Sequence, residues 1–184
     1  MNKILTILFT LFFLFGCNTK KYYTLGSTLD IVSTTNYTQE IDVVKVDVPK
    51  YLRDHTLVRQ VTPYQVEIID KAQWLTPMQK RLTNILIEYL QKSMNNPNVH
   101  LYPWNANKHP IHRVSVTINR FIAYNNKVFL QANYKITHIN RKKIKTKLFN
   151  TTVDTKDATL ESMIEAMQSA YFELTKAIKN EIIK

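Results

Sequence analysis

Residues 113–139 read RVSVTINRFIAYNNKVFLQANYKITHI, and this stretch decides the fold. Val114, Val116 and Ile118 recur at every second position, and so do Val128, Leu130, Ala132, Tyr134 and Ile136. Period two places each set on one face of a strand. Between them stands Asn125-Asn126, a pair that tolerates positive φ and so closes a tight hairpin. Arg113 to Tyr124 and Lys127 to Ile139 therefore form two antiparallel strands with one apolar face. A face of that kind needs a cover.

Two segments supply it. Met78, Leu82, Ile85, Leu86, Tyr89, Leu90 and Met94 make an amphipathic helix of about five turns. It is introduced by Thr76-Pro77, with threonine at the cap and proline in the first turn, and stopped by Asn95-Asn96-Pro97. Residues 159–183 carry a second stripe, Leu160, Met163, Ile164, Met167, Ala170, Tyr171, Leu174 and Ile178. Asp154 and Asp157 precede that helix or help to cap it. Further strands are expected at Tyr22 to Leu25, Ile41 to Val48, Leu57-Val58, Tyr64 to Ile69 and Ile144 to Val153. Gly26 to Glu40, rich in Ser, Thr and Asn, reads as a loop. The order of strands, helix, strands, helix predicts a mixed α/β domain whose sheet contains the antiparallel hairpin and is packed by two main helices.

The chain has 184 residues, and its first seventeen carry a separate message. Lys3, an apolar run from Ile4 to Phe15, and Leu14-Phe15-Gly16-Cys17 form a lipoprotein export signal. The run is too short to span a bilayer. The lone cysteine sits where a diacylglycerol is attached to the thiol and cleavage then leaves it as residue one, so the mature chain is Cys17 to Lys184. We divide the sequence into a signal peptide (1–16), a lipidated N-terminus with a short first strand and loop (17–40) and the main domain (41–184). Asn18, rather than aspartate, follows the anchor and favours the periplasmic face of the outer membrane.

Composition removes several chemistries. Lipidation of Cys17 leaves no thiol for a disulfide, a metal or nucleophilic attack. Of two glycines only Gly26 survives processing, so phosphate-cradling glycine loops are absent. Fourteen carboxylates form no evident inward pair, and no serine elbow exists. His109-Pro110-Ile111-His112 offers two histidines, but the proline opposes the helix that would align them and no third ligand stands nearby. An enzyme is not expected.

The formal charge of +11 directs attention to membranes and acidic proteins. Arg141, Lys142, Lys143, Lys145 and Lys147 place five cations in seven residues, with Lys143, Lys145 and Lys147 on one strand face. That face is either solvated or a contact for an acidic partner or anionic headgroups. Trp74 and Trp104 read as anchors of core or loop.

Several landmarks, in order, resemble the ABC-type transport auxiliary lipoproteins, the PqiC-like subunits of membrane-integrity transporters. They are Cys17 with Tyr22-Tyr23-Thr24-Leu25, then Val46-Asp47-Val48-Pro49-Lys50-Tyr51-Leu52, Leu57-Val58-Arg59, Trp74 ahead of the long helix, and Pro103-Trp104. The resemblance implies a single three-layer, anticodon-binding-like domain without catalysis or cofactor. It further implies a partner, a periplasmic MCE-domain conduit for lipids between membranes, and in some members a homo-oligomeric ring. Tyr51, Leu52 and Arg53, following the strand-ending Pro49, are the candidate partner contacts; Tyr51 and Leu52 equally suit packing beneath that loop. The alternative is a periplasmic carrier holding a lipid between helix and sheet, against Leu82, Ile85, Leu86 or Tyr89.

Overall fold

The structure, a computed structural model, describes residues 19–26, 28, 31–103 and 110–184. Cys17, Trp104 and His109 lie outside the described residues. The hairpin is built as its sequence dictates. β6 (His112–Tyr124) and β7 (Lys127–His138) pair antiparallel, with Val114 opposite Ile136 and Val116 opposite Tyr134. Asn125 and Asn126 both take positive φ, 48° and 55°. Asn95, past the first helix, does the same at 47°. Asparagine thus fills turn positions that most chains give to glycine.

The alternation breaks once. The register shifts between Ile118 and Arg120, so one extra residue bulges from β6. Beyond the bulge Phe121 and Ala123 join the main core, while Ile122, also buried, lies outside that cluster.

β8 (Lys143–Asp154) continues the sheet beside β7. On its other side β6 meets β2 (Ile41–Val43) in parallel, and β2 meets β5 (Val99–Leu101), also parallel. The expected strand over Ile41 to Val48 is therefore shorter. Its continuation leaves the ladder at Val46, whose N–H turns to the Thr83 hydroxyl at 3.0 Å, and touches β6 again only at Asp47. β5 is too short for a periodic signal.

The remaining strands form a second sheet rather than extending the first. β3 (Thr56–Thr62) and β4 (Gln65–Trp74) pair antiparallel, and β1 (Lys21–Tyr23) lies parallel to the end of β4. Lys71, at φ 61°, resets the alternation so that Ala72 and Trp74 turn inward.

Helix α1 (Met78–Ser93) packs on β2 and β5, and α2 (Leu160–Ile182) lies across β6, β7 and β8. Pro77 occupies the cap of α1 and no side chain caps it, so Thr76 does not serve as expected. Thr159 caps α2 by accepting from Ser162 N–H, and Asp157 accepts in turn from Thr159 N–H at 2.8 Å. The Tyr171 hydroxyl donates to Leu82 O at 2.9 Å, tying the two helices together inside the core. Leu57, Ala72 and Trp74 of the small sheet join the same core, making one mixed α/β unit of two helices and two mixed sheets.

The loop before β2 is not loose. Leu25 is fully buried, Arg81 donates to Leu25 O, and the backbone N–H groups of Thr34 and Tyr37 bond the end of α1. Leu130→Ala, on the covered face, is expected to cost 2–5 kcal/mol in urea unfolding, the range for emptying a buried leucine site. Leu148→Ala, exposed on β8, should stay within about 0.5 kcal/mol.

Candidate functional site

After Val48 the chain turns through Pro49 into one 3-10 turn, Lys50–Leu52. Leu52 is 1% exposed and belongs to the core. Tyr51 is half-buried, and its hydroxyl accepts from Phe121 N–H at 3.0 Å, just past the β6 bulge. That burial pushes its phenol above the ordinary value. Tyr51 and Leu52 therefore hold the turn against the sheet from below. Of the three candidate contacts only Arg53 stands outward. Its guanidinium reaches Asp47 at 3.3 Å and Val48 O at 3.2 Å. Beside it an open groove of about 620 Å³ runs between Asp47, Lys50, Arg53 and Asn119.

The basic strand lies at the edge of the large sheet, with most of its cations exposed. Lys145 and Lys147 face α2, where each holds a carboxylate oxygen of Glu181 at 2.8 Å; Lys184 adds a third contact at 3.3 Å. Their hydrogen bonds pull the Glu181 carboxyl down to about 2. These lysines neutralise a buried acid at the end of a helix, where cations also complement the helix dipole. Arg141, Lys142 and Lys143, at the β7–β8 turn, remain exposed.

Next to this clamp lies a cavity of about 300 Å³, lined by Tyr37, His112, His138, Arg141, Lys143 and Glu181 among others. His112 is 7% exposed, its Nδ1 has no partner, and its ring meets the His138 ring edge-on at 4.8 Å. Burial, then the charges at His138, Arg141 and Lys145, lower its pKa to about 4, so it is neutral at pH 7. Among the described residues no group of three or more His, Cys, Asp or Glu is placed to hold a metal ion.

A third cavity, about 290 Å³, opens where the β3–β4 hairpin, the β6–β7 turn and the start of α2 converge, with Gln60, Ile69, Tyr124, Asn126, Leu160 and Met163 in its wall. These residues come from four distant segments. No sequence pattern marks them.

The described surface thus carries charged grooves around a closed apolar core. Residues 23–179 match the family model for the ABC-type transport auxiliary lipoprotein component, and the chain belongs to that family. No curated protein matches it. Two solved structures share its fold at a TM-score of 0.71. One is an uncharacterized protein at 20% identity, covering 89% of this chain and 99% of its own. The other is protein XCC0632 from Xanthomonas campestris, family model DUF330, at 13% identity, covering 86% and 92%. The PelC dodecamer from Paraburkholderia phytofirmans is more distant, at 7% identity and a TM-score of 0.42, covering 72% and 86%.

His112 gives this region a pH signature. Its ordinary value is 6.5, and the folded chain holds it near 4. As pH falls from about 6.5 towards 4, the unfolded chain takes up a proton that the folded chain refuses, and stability drops by up to ~3 kcal/mol. Urea unfolding at pH 7, 5.5 and 4 should show this slope, and His112→Gln should flatten it.

Proposed function

We propose that this chain is the outer-membrane-anchored periplasmic subunit of an MCE-type intermembrane lipid transport system, docking the MCE-domain conduit and supporting membrane integrity. The observation that carries the reading is a transport auxiliary lipoprotein match that begins at residue 23, six residues after a lipobox cysteine. The division into signal peptide (1–16), lipidated segment (17–40) and domain (41–184) belongs to this proposal. Among the described residues no helix is long and apolar enough to cross a membrane. Cys17 is the attachment we assign.

Size supports a docking role. A globule of 168 residues has a radius of gyration of about 15 Å. It cannot span an envelope, but it can receive the end of something longer. The outward Arg53, with Lys50 beside it along the groove, is the contact surface we assign. The exposed Arg141, Lys142 and Lys143 are a second surface for acidic partners or anionic headgroups. Assembly of several copies into a ring would multiply both.

The carrier reading loses support from the packing. Leu82, Ile85 and Leu86 are at most 1% exposed and lie in the continuous core, and Tyr89 stacks near Phe172 at 5.9 Å. None of the three cavities described above is lined by them.

Two measurements test the proposal. Affinity purification of the tagged, lipidated protein from solubilised envelopes should recover an MCE-domain protein, and Arg53→Glu should weaken that recovery about tenfold, a loss of ~1.4 kcal/mol. Recovery of bound lipid without any MCE-domain protein would restore the carrier. Separately, mass spectrometry of the processed N-terminus should find a diacylglycerol on Cys17; an unmodified Cys17 would refute the anchor.

A further inference from the structure

The register of β1 fixes which end of the molecule faces the membrane. β1 runs parallel to β4, with Lys21 beside Ala72 and Tyr23 beside Trp74. Followed backwards, β1 leads to Cys17, and β4 followed in the same direction leads to its turn with β3. Membrane and hairpin tip therefore lie towards the same end. Lys21 stands four positions after Cys17, a reach of at most about 14 Å. β4 runs from Ala72 back to Gln65, but Gln73 pairs with Thr56 while Ile68 pairs with Val58, so extra residues bulge around Lys71 and the partner strand sets the length: at most about 17 Å beyond the level of Ala72 at strand rise. The tip therefore comes to about the level of Cys17 when the tether is fully extended, and deeper than it with any slack in the tether.

The composition of the tip matches that position. Residues 60–66, Gln-Val-Thr-Pro-Tyr-Gln-Val, carry no charge in a chain where 21% of residues are charged. The first charges on either side, Arg59 and Glu67, pair with each other across the two strands. Tyr64 at the turn is 98% exposed, and Val66 and Ile68, which share one face of β4, are 52% and 65% exposed. A folded domain has no internal use for a protruding aromatic and two open β-branched side chains at one end of a hairpin. Tyrosine favours the membrane–water boundary, where its ring is apolar and its hydroxyl stays wet. Lys20, Lys21 and Lys71 are exposed nearer the base of the hairpin, where anionic headgroups would attract them.

We propose that the β3–β4 hairpin inserts Tyr64, Val66 and Ile68 into the headgroup–acyl boundary of the bilayer that holds the Cys17 anchor, giving the domain a second, non-covalent attachment and a fixed orientation. The inference rests on the reading of Cys17 as lipidated. A single lipid anchor leaves a globule free to swivel; a second contact at the hairpin tip does not.

The test uses the full lipidated protein in vesicles of phosphatidylethanolamine and phosphatidylglycerol. Because Cys17 is blocked by its lipid, Tyr64→Cys or Val66→Cys introduces the only free thiol, to be labelled with an environment-sensitive fluorophore. Leu148→Cys, exposed on the edge of the other sheet, is the control. The expected result is blue-shifted emission at 64 and 66 that brominated lipids quench, with neither effect at 148. Emission at 64 and 66 equal to that at 148 overturns the proposal. So does a blue shift that brominated lipids leave unquenched, which assigns the hairpin to a protein contact. Flotation of the vesicles separates the two readings: a protein that floats with its hairpin in water refutes insertion alone, whereas one that fails to float refutes the anchor and the insertion with it.

Discussion

The apolar face of the β6–β7 hairpin has to be covered, and almost every other feature of the molecule follows from how that is done. Val114, Val116, Ile118 and Phe121 from one strand and Val128, Leu130, Ala132, Tyr134 and Ile136 from the other form a continuous sheet of buried side chains. α2 lies across it with Met167, Ala170, Tyr171, Leu174 and Ile178, each at most 3% exposed. With no disulfide open to the mature chain and one glycine in it, this burial is the main source of stability. The bulge after Ile118 serves the same end. It keeps Phe121 inside, where its ring lies 6.4 Å from that of Tyr171, and it aims the Phe121 N–H at Tyr51.

The charge of the chain is organised around that core rather than spread at random. Glu181 would be an expensive burial on its own, but three lysine ammonium groups surround it and keep it ionised. Asp42, 6% exposed in the middle of the large sheet, is matched by Arg113 at 3.3 Å, and Arg113 also covers the Tyr102 ring at 3.9 Å. Other cations stay at the surface, among them Lys50, Arg53 in its pair with Asp47, and those of the β7–β8 turn. The docking surfaces we assign lie among these outward cations.

A membrane protein held by one lipid must also settle how it sits. Here the answer lies in three residues. β1 joins the small sheet beside the last residues of β4, so the chain arriving from the anchor enters the fold in a defined direction. Tethers of this length leave the base of the globule within reach of the headgroups, and the sheet that receives the tether carries the exposed hairpin. Under the attachment we propose, orientation and the side turned away from the membrane become one geometric property.

Sequence alone determined the parts of this protein that depend on local periodicity and local backbone preference. Period two in 113–139, the helical stripes of Met78 to Met94 and Leu160 to Ile178, and the asparagines at 95, 125 and 126 gave the hairpin, both helices and their turns, because each signal lies within a few residues of its effect. The family was legible for the same reason, its landmarks being short ordered motifs. Tertiary structure alone decided what depends on residues far apart in the chain. That Lys145 and Lys147 clamp Glu181 follows from where α2 ends over β8. Leu52 is core and Arg53 is surface because Tyr51 finds Phe121 some seventy residues away. The split into two sheets, and the parallel strand that points the anchor and the β3–β4 hairpin the same way, arise from pairings too short and too distant to leave any period in the sequence.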